Sequence, residues 1–159
     1  MASAEADGRA LATGSYGFDD LCPGDHWTTD GILVTDWHIL TFAGMSGDFF
    51  APHLDDAAAQ AAGFPTRIAH GLLILALVDG LKNRAPVRLA AIASLGWTWE
   101  FRRPVHPGDR IAARIAIAGL RPTRRPDRGI ARLAFSVLNQ HDEVVQEGEN
   151  RLMLHRRPA

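Results

Sequence analysis

Cysteine is all but missing from this chain of 159 residues, where Cys22 stands alone. No disulfide can close within it, and no cysteine-based zinc cluster can form. A lone thiol fits a reducing compartment, so a cytoplasmic location is expected. Net charge is equally scarce: 17 Lys and Arg against 18 Asp and Glu leave a formal charge of −1. That balance provides no overall positive field for nucleic acid or an anionic membrane, and neither is expected as a partner. Long apolar runs are missing too. The most apolar stretch, residues 71–81, is broken by Asp79 and Gly80 and falls far short of the roughly 20 residues that cross a bilayer. It reads as a core helix. Residues 1–17, rich in Ala, Gly, Ser and acids, lack the basic and apolar regions of a secretion signal. They are expected to form a flexible leader ahead of one domain over residues 18–156, with no internal repeat and no second domain.

What is present suffices for a core, since 47% of the residues are hydrophobic. A first strand is predicted over 27–34. Thr35 then offers an N-cap and Asp36 a first-turn acid for a helix that turns Trp37, Leu40 and Phe42 inward and stops at Gly44 and Gly47. A loop over 48–52 leads to a short Ala-rich helix opened by Asp55-Asp56 and closed by Gly63 and Pro65. The buried helix follows, from about 69 to 83. Beyond Pro86 the period changes to two. Leu95, Trp97, Trp99 and Phe101 share a face, then Ile111, Ala113, Ile115 and Ile117, then Leu133, Phe135 and Val137, and a last strand runs from about 144 to 155. Four consecutive strands after a central helix predict an α+β domain with an antiparallel sheet packed on that helix.

The chemistry concentrates just before the buried helix. Asp48 and His53 lie five residues apart, a carboxylate and an imidazole that can share a water and move its protons. His70-Gly71 opens the helix, where free backbone N–H groups and the positive dipole end can receive a developing oxyanion. Each also has a plainer reading: Asp48 as a turn cap, His53 as a surface residue, His70 as a structural hydrogen-bonding group, and Gly71 as a glycine needed where no side chain fits.

Together these residues resemble the MaoC-like dehydratases, also called R-specific enoyl-CoA hydratases. The family pattern of Asp, four residues, His, then apolar-His-Gly into a buried helix is read at Asp48, His53 and Ala69-His70-Gly71. Flanking stretches agree: Phe18-Asp19-Asp20-Leu21 with Pro23-Gly24, Val34-Thr35-Asp36 leading to Phe42-Ala43-Gly44, Arg103-Pro104-Val105 with Pro107-Gly108-Asp109, and Leu138-Asn139-Gln140. The resemblance covers roughly residues 16–156. It departs at Phe50, where most of these hydratases carry Asn, and at Ala51-Pro52, which replaces Pro and an apolar residue.

The resemblance implies a single hotdog fold, a curved antiparallel sheet wrapped around a central buried helix. It also implies a lyase that adds water reversibly to the double bond of a 2-enoyl thioester, on coenzyme A or a carrier protein, with no cofactor beyond that moiety. Asp48 and His53 would hold the catalytic water, the Gly71 N–H would stabilise the thioester oxygen, and Phe50 would wall the acyl pocket. A homodimer or higher homo-oligomer is implied as well. Two alternatives stay open: a hotdog acyl-CoA thioesterase, and a non-catalytic acyl-CoA-binding or partner subunit, which Phe50 in place of Asn would suit. Arg121, Arg124, Arg125 and Arg128 make a basic turn, read as a solvated hairpin tip and alternatively as a contact for coenzyme A phosphates. Asp48, His53 and Asp55 form the nearest approach to a metal cluster, but their spacing matches no zinc signature.

Overall fold

The computed structural model describes residues 8–157. In chain order the elements are β1 (Gly14–Tyr16), a 3-10 turn (Phe18–Asp20), β2 (His26–Thr28), β3 (Ile32–Leu33), α1 (Asp36–Ser46), α2 (Ala51–Leu54), α3 (Asp56–Ala61), α4 (Gly71–Arg84), β4 (Val87–Leu89), β5 (Ala91–Phe101), β6 (Arg110–Pro122), β7 (Arg128–Leu138) and β8 (Val144–His155). The main sheet runs β2-β6-β7-β8-β5, with β3 also on β6, and all its pairings are antiparallel. A parallel β1-β4 pair stands apart. Register shifts at Ser94/Gly96 in β5, at Ile117/Gly119 in β6 and opposite Val137/Leu138 in β8 place bulges in three of the strands, which increases twist and lets the sheet curl.

Helix α4 lies in that curl. Leu73, Ile74, Val78 and Leu81 recur at helical spacing and join Ile115, Ile117, Leu133, Phe135 and Val137 of the sheet in one core. Each such side chain contributes about 1.5–3 kcal/mol by leaving water, so packing on the sheet, more than propensity, holds the helix. This is the hotdog arrangement expected above, and β6 and β7 have their predicted inner faces; in β5 only Trp97 and Trp99 pack on the core, because the bulge at Ser94/Gly96 breaks the alternation at Leu95 and Phe101 is left 58% exposed.

Several local expectations are corrected. The single first strand is two short ones, because residues 29–31 leave the ladder. Trp37 and Leu40 are 68% and 55% exposed, and Ile39 and Ala43 are the buried residues of α1. That helix is apolar on more than one side, so spacing alone could not orient it. Gly44 lies within α1, and Gly47 ends it with a left-handed φ of 78°. Residues 51–52, expected as the end of a loop over 48–52, open the turn α2. The leader expected over 1–17 falls partly outside the described residues; within them, Leu11 is buried, Ala10 bridges His26, and 14–16 form β1. Arg9 reaches the buried Asp25 at 2.8 Å, which ties this segment down. No helix among the described residues is long and apolar enough to cross a membrane.

Candidate active site

Gly47 turns the chain out of α1 and delivers Asp48. The Asp48 N–H donates to Ser46 Oγ (3.1 Å), and its Oδ1 accepts from the Phe50 N–H (3.2 Å), an Asx-type turn that leaves the carboxylate exposed. Pro52 favours the first turn of α2 and is buried beneath it, which carries His53 toward the strap over 64–70. There the Ile68 N–H donates to Pro52 O (3.1 Å), and His53 Nδ1 lies 2.8 Å from Ile68 O. A carbonyl only accepts, so Nδ1 carries the proton and Nε2 of the neutral ring is left as an acceptor. Burial lowers the His53 pKa from its usual value, assisted by His70 and opposed by the Ile68 carbonyl and the Asp48 charge.

His70 closes the site. Its Nε2–H donates to the backbone carbonyl of Asp48 (2.9 Å), and its ring stacks on His53 with centroids 3.8 Å apart and planes at 32°. One buried residue thus binds the acid loop, lies against the imidazole and, as the N-cap of α4, precedes Gly71. The Gly71 N–H is the first of the helix's unpaired donors. A Cβ at Gly71 would lie 2.5 Å from the Phe101 ring, so a larger residue there would have to displace that ring. Phe50 is 60% exposed and meets His53 edge-on at 5.6 Å; Phe49, Leu72 and Phe101 are exposed as well.

Asp48, His53, His70, Gly71 and Phe50 are therefore gathered at one end of α4, as the sequence suggested. Asp55 is not among them, since its Oδ1 caps α3 by accepting from the Ala57 N–H (2.9 Å). Its place in the acid-imidazole cluster is taken by His70. The ligand-capable atoms of Asp48, His53 and His70 lie within 4.8 Å of one another. The basic turn sits at the far end of the sheet: β8 pairs with β7 from Gln146 near Gly71 to His155 opposite Arg128. About 27 Å of strand separates Gln146 from Leu154 at ~3.4 Å per residue. Arg125 and Arg128 pair with Asp127 there, which makes the turn a solvated tip remote from its own site.

Gln146 was missed. Its Oε1 accepts from the Trp99 indole N–H (2.8 Å), and its Nε2 donates to Gly71 O (3.0 Å). The available signal was a polar residue, 2% exposed, on the inward side of a strand that otherwise turns Leu152 and Leu154 to the core.

Comparison with known proteins places these features. Residues 22–137 match the family described as MaoC like domain. Over 99 residues, 62% of this chain, it is 37% identical to Protein MaoC of Klebsiella aerogenes, and spans 29% of that protein's length. The (R)-specific enoyl-CoA hydratase of Aeromonas caviae is 32% identical over 111 residues, covering 70% of this chain and 79% of that one. The crystal structure of a MaoC-like dehydratase from Rhodospirillum rubrum superposes with a TM-score of 0.83 at 30% identity, covering 90% of this chain and 99% of that one. With the hotdog sheet around α4 and the Asp48, His53 and His70-Gly71 cluster at its N-terminus, the chain belongs to the MaoC-like domain family.

Proposed function

We propose that this protein is a lyase that adds water reversibly to the double bond of a 2-enoyl thioester, giving the 3-hydroxyacyl thioester. The observation that carries the reading is the convergence of three groups: the Asp48 carboxylate, the His53 Nε2 acceptor and the Gly71 N–H. The names of the relatives above support it. Asp48 and His53 hold one water between two acceptors, and one of them takes its proton as the oxygen bonds to the β-carbon. Charge then moves onto the thioester oxygen, which the Gly71 N–H and the α4 dipole stabilise. Return of a proton to the α-carbon completes the addition, so the water is consumed with no redox change. No cofactor is needed beyond the coenzyme A or carrier-protein moiety of the substrate.

The working unit is a homodimer within the cytoplasm. Strand β5 ends the sheet with 11 residues and an open edge, and the apolar rim of Phe49, Phe50, Leu72 and Phe101 lies beside its C-terminal end. A second copy of the chain covers both. The decisive experiment incubates the protein with enoyl-CoA esters of graded length and follows loss of the conjugated thioester absorbance. Hydration of at least one ester is expected. Release of free thiol without hydration would mark a thioesterase, and saturable binding without turnover would mark a binding subunit.

A further inference from the structure

Gly71 is held from two sides by one cross-strand pair. Phe101 of β5 and Gln146 of β8 are direct partners in the ladder, and both face inward. The Phe101 ring lies beside Gly71, where an added Cβ would meet it at 2.5 Å. Gln146 takes the other side through its amide donor to Gly71 O at 3.0 Å. Gln146 cannot swing away, because Oε1 is occupied by the Trp99 indole N–H at 2.8 Å and the side chain is buried. Trp99 is itself fixed over Gly148, where a Cβ would lie 2.6 Å from its ring. The chain Gly148, Trp99, Gln146, Gly71 therefore ties the sheet to the first residue of α4, beside the Ile74 N–H to His70 O bond (3.3 Å) that closes the helix's first turn.

We propose that Gln146, together with Phe101, is a positioning residue for the oxyanion-binding N–H of Gly71. This rests on the hydratase reading above and deepens it. An oxyanion donor is effective only when its direction is set before charge develops. Gln146 touches no substrate; it acts by holding the Gly71 carbonyl, and through it the α-carbon that carries the N–H, at the start of α4.

The test uses the full-length protein, with crotonyl-CoA as substrate and two variants. Gln146→Met keeps the volume and removes both hydrogen bonds. Gln146→Glu keeps an acceptor for Trp99, and donates to Gly71 O only while its carboxyl is protonated, a form that burial favours. Gln146→Met is expected to lower kcat at least tenfold with KM changed less than twofold, measured well below its Tm. The ratio of Gln146→Glu to wild-type turnover is expected to fall as pH rises through the carboxyl's titration. In ¹⁵N relaxation of the substrate-free protein, the Gly71 amide of Gln146→Met is expected to leave the rigid range, an order parameter of about 0.85. If folded Gln146→Met keeps kcat within twofold, or its Gly71 amide stays as rigid as in wild type, the proposal is overturned. Should wild type hydrate no enoyl-CoA, the hydratase reading fails, and the hold on Gly71 is then decided by the relaxation result alone.

Discussion

His53 has its two ring nitrogens in different surroundings, and this sets the expected pH behaviour. Nδ1–H is committed to Ile68 O, which leaves Nε2 for the water. Because burial lowers its pKa, the folded protein favours the neutral ring, and the unfolded chain takes up the proton first as pH falls. Stability from this group is therefore complete above about pH 6.5 and is lost below it. The activity should follow the same sign: the acid limb of kcat/KM is expected to have its midpoint below about 6.5, and a midpoint above 7 would contradict the role given to Nε2. Asp48→Asn and His53→Ala should each cost roughly 10²–10⁴ in turnover while the fold survives by circular dichroism. The double variant should be little worse than either, since both groups serve one water. Phe50 stands edge-on to His53 where a smaller polar residue was expected. On the proposed reading a ring there selects for short acyl chains, and Phe50→Asn is expected to raise kcat/KM for longer enoyl-CoA esters. Equal rates before and after the change would leave Phe50 with no part in chain-length selection.

Between elements, the contact of β5 with β8 carries most weight. At Gly148 a Cβ would meet the backbone oxygen of Thr98 at 2.2 Å and the Trp99 ring at 2.6 Å. A backbone atom in a paired strand cannot yield as a side-chain tip can, so Gly148→Ala should destabilise by about 1–3 kcal/mol or more. Thermal denaturation reads this directly, and an unchanged Tm would show that the two strands can part without loss. Gly71 offers the contrast, since the ring it meets belongs to the half-exposed Phe101 and has room to move. Helix α1 shows where pattern reading stopped. Its cap Thr35 and its acid Asp36 were legible, yet its facing was not, because Trp37 and Leu40 are as apolar as the Ile39 and Ala43 that the core takes in.

For the whole molecule, the expected dimer is the main consequence of an open sheet. Among the described residues β5 is paired on one flank, with β8, and its 11 residues offer the other to a partner. Sedimentation at micromolar concentration should find two copies per particle, and a monomer with full activity would remove the need for a partner at the site.

The sequence by itself determined the class of the molecule and which polar groups gather at the start of α4. Period-two strands around Ile111–Ile117 and Leu133–Val137 and a helical period over 73–81 report burial residue by residue, because each element must bury one face whatever its neighbours are. Asp48, His53 and His70-Gly71 were legible for a related reason: a turn, a strap and a helix start are local structures written within 25 residues. Tertiary structure alone decided what meets across the chain. Gln146 reaches Gly71 over 75 positions because β8 pairs with β5 in one register. A shift of one residue would have turned its side chain outward. The stacking of His70 on His53, the exposure of Trp37 and the remoteness of the basic turn have the same origin. Each depends on where separate elements come to rest against a shared core, and hydrophobic period specifies which face is inside without specifying its partner.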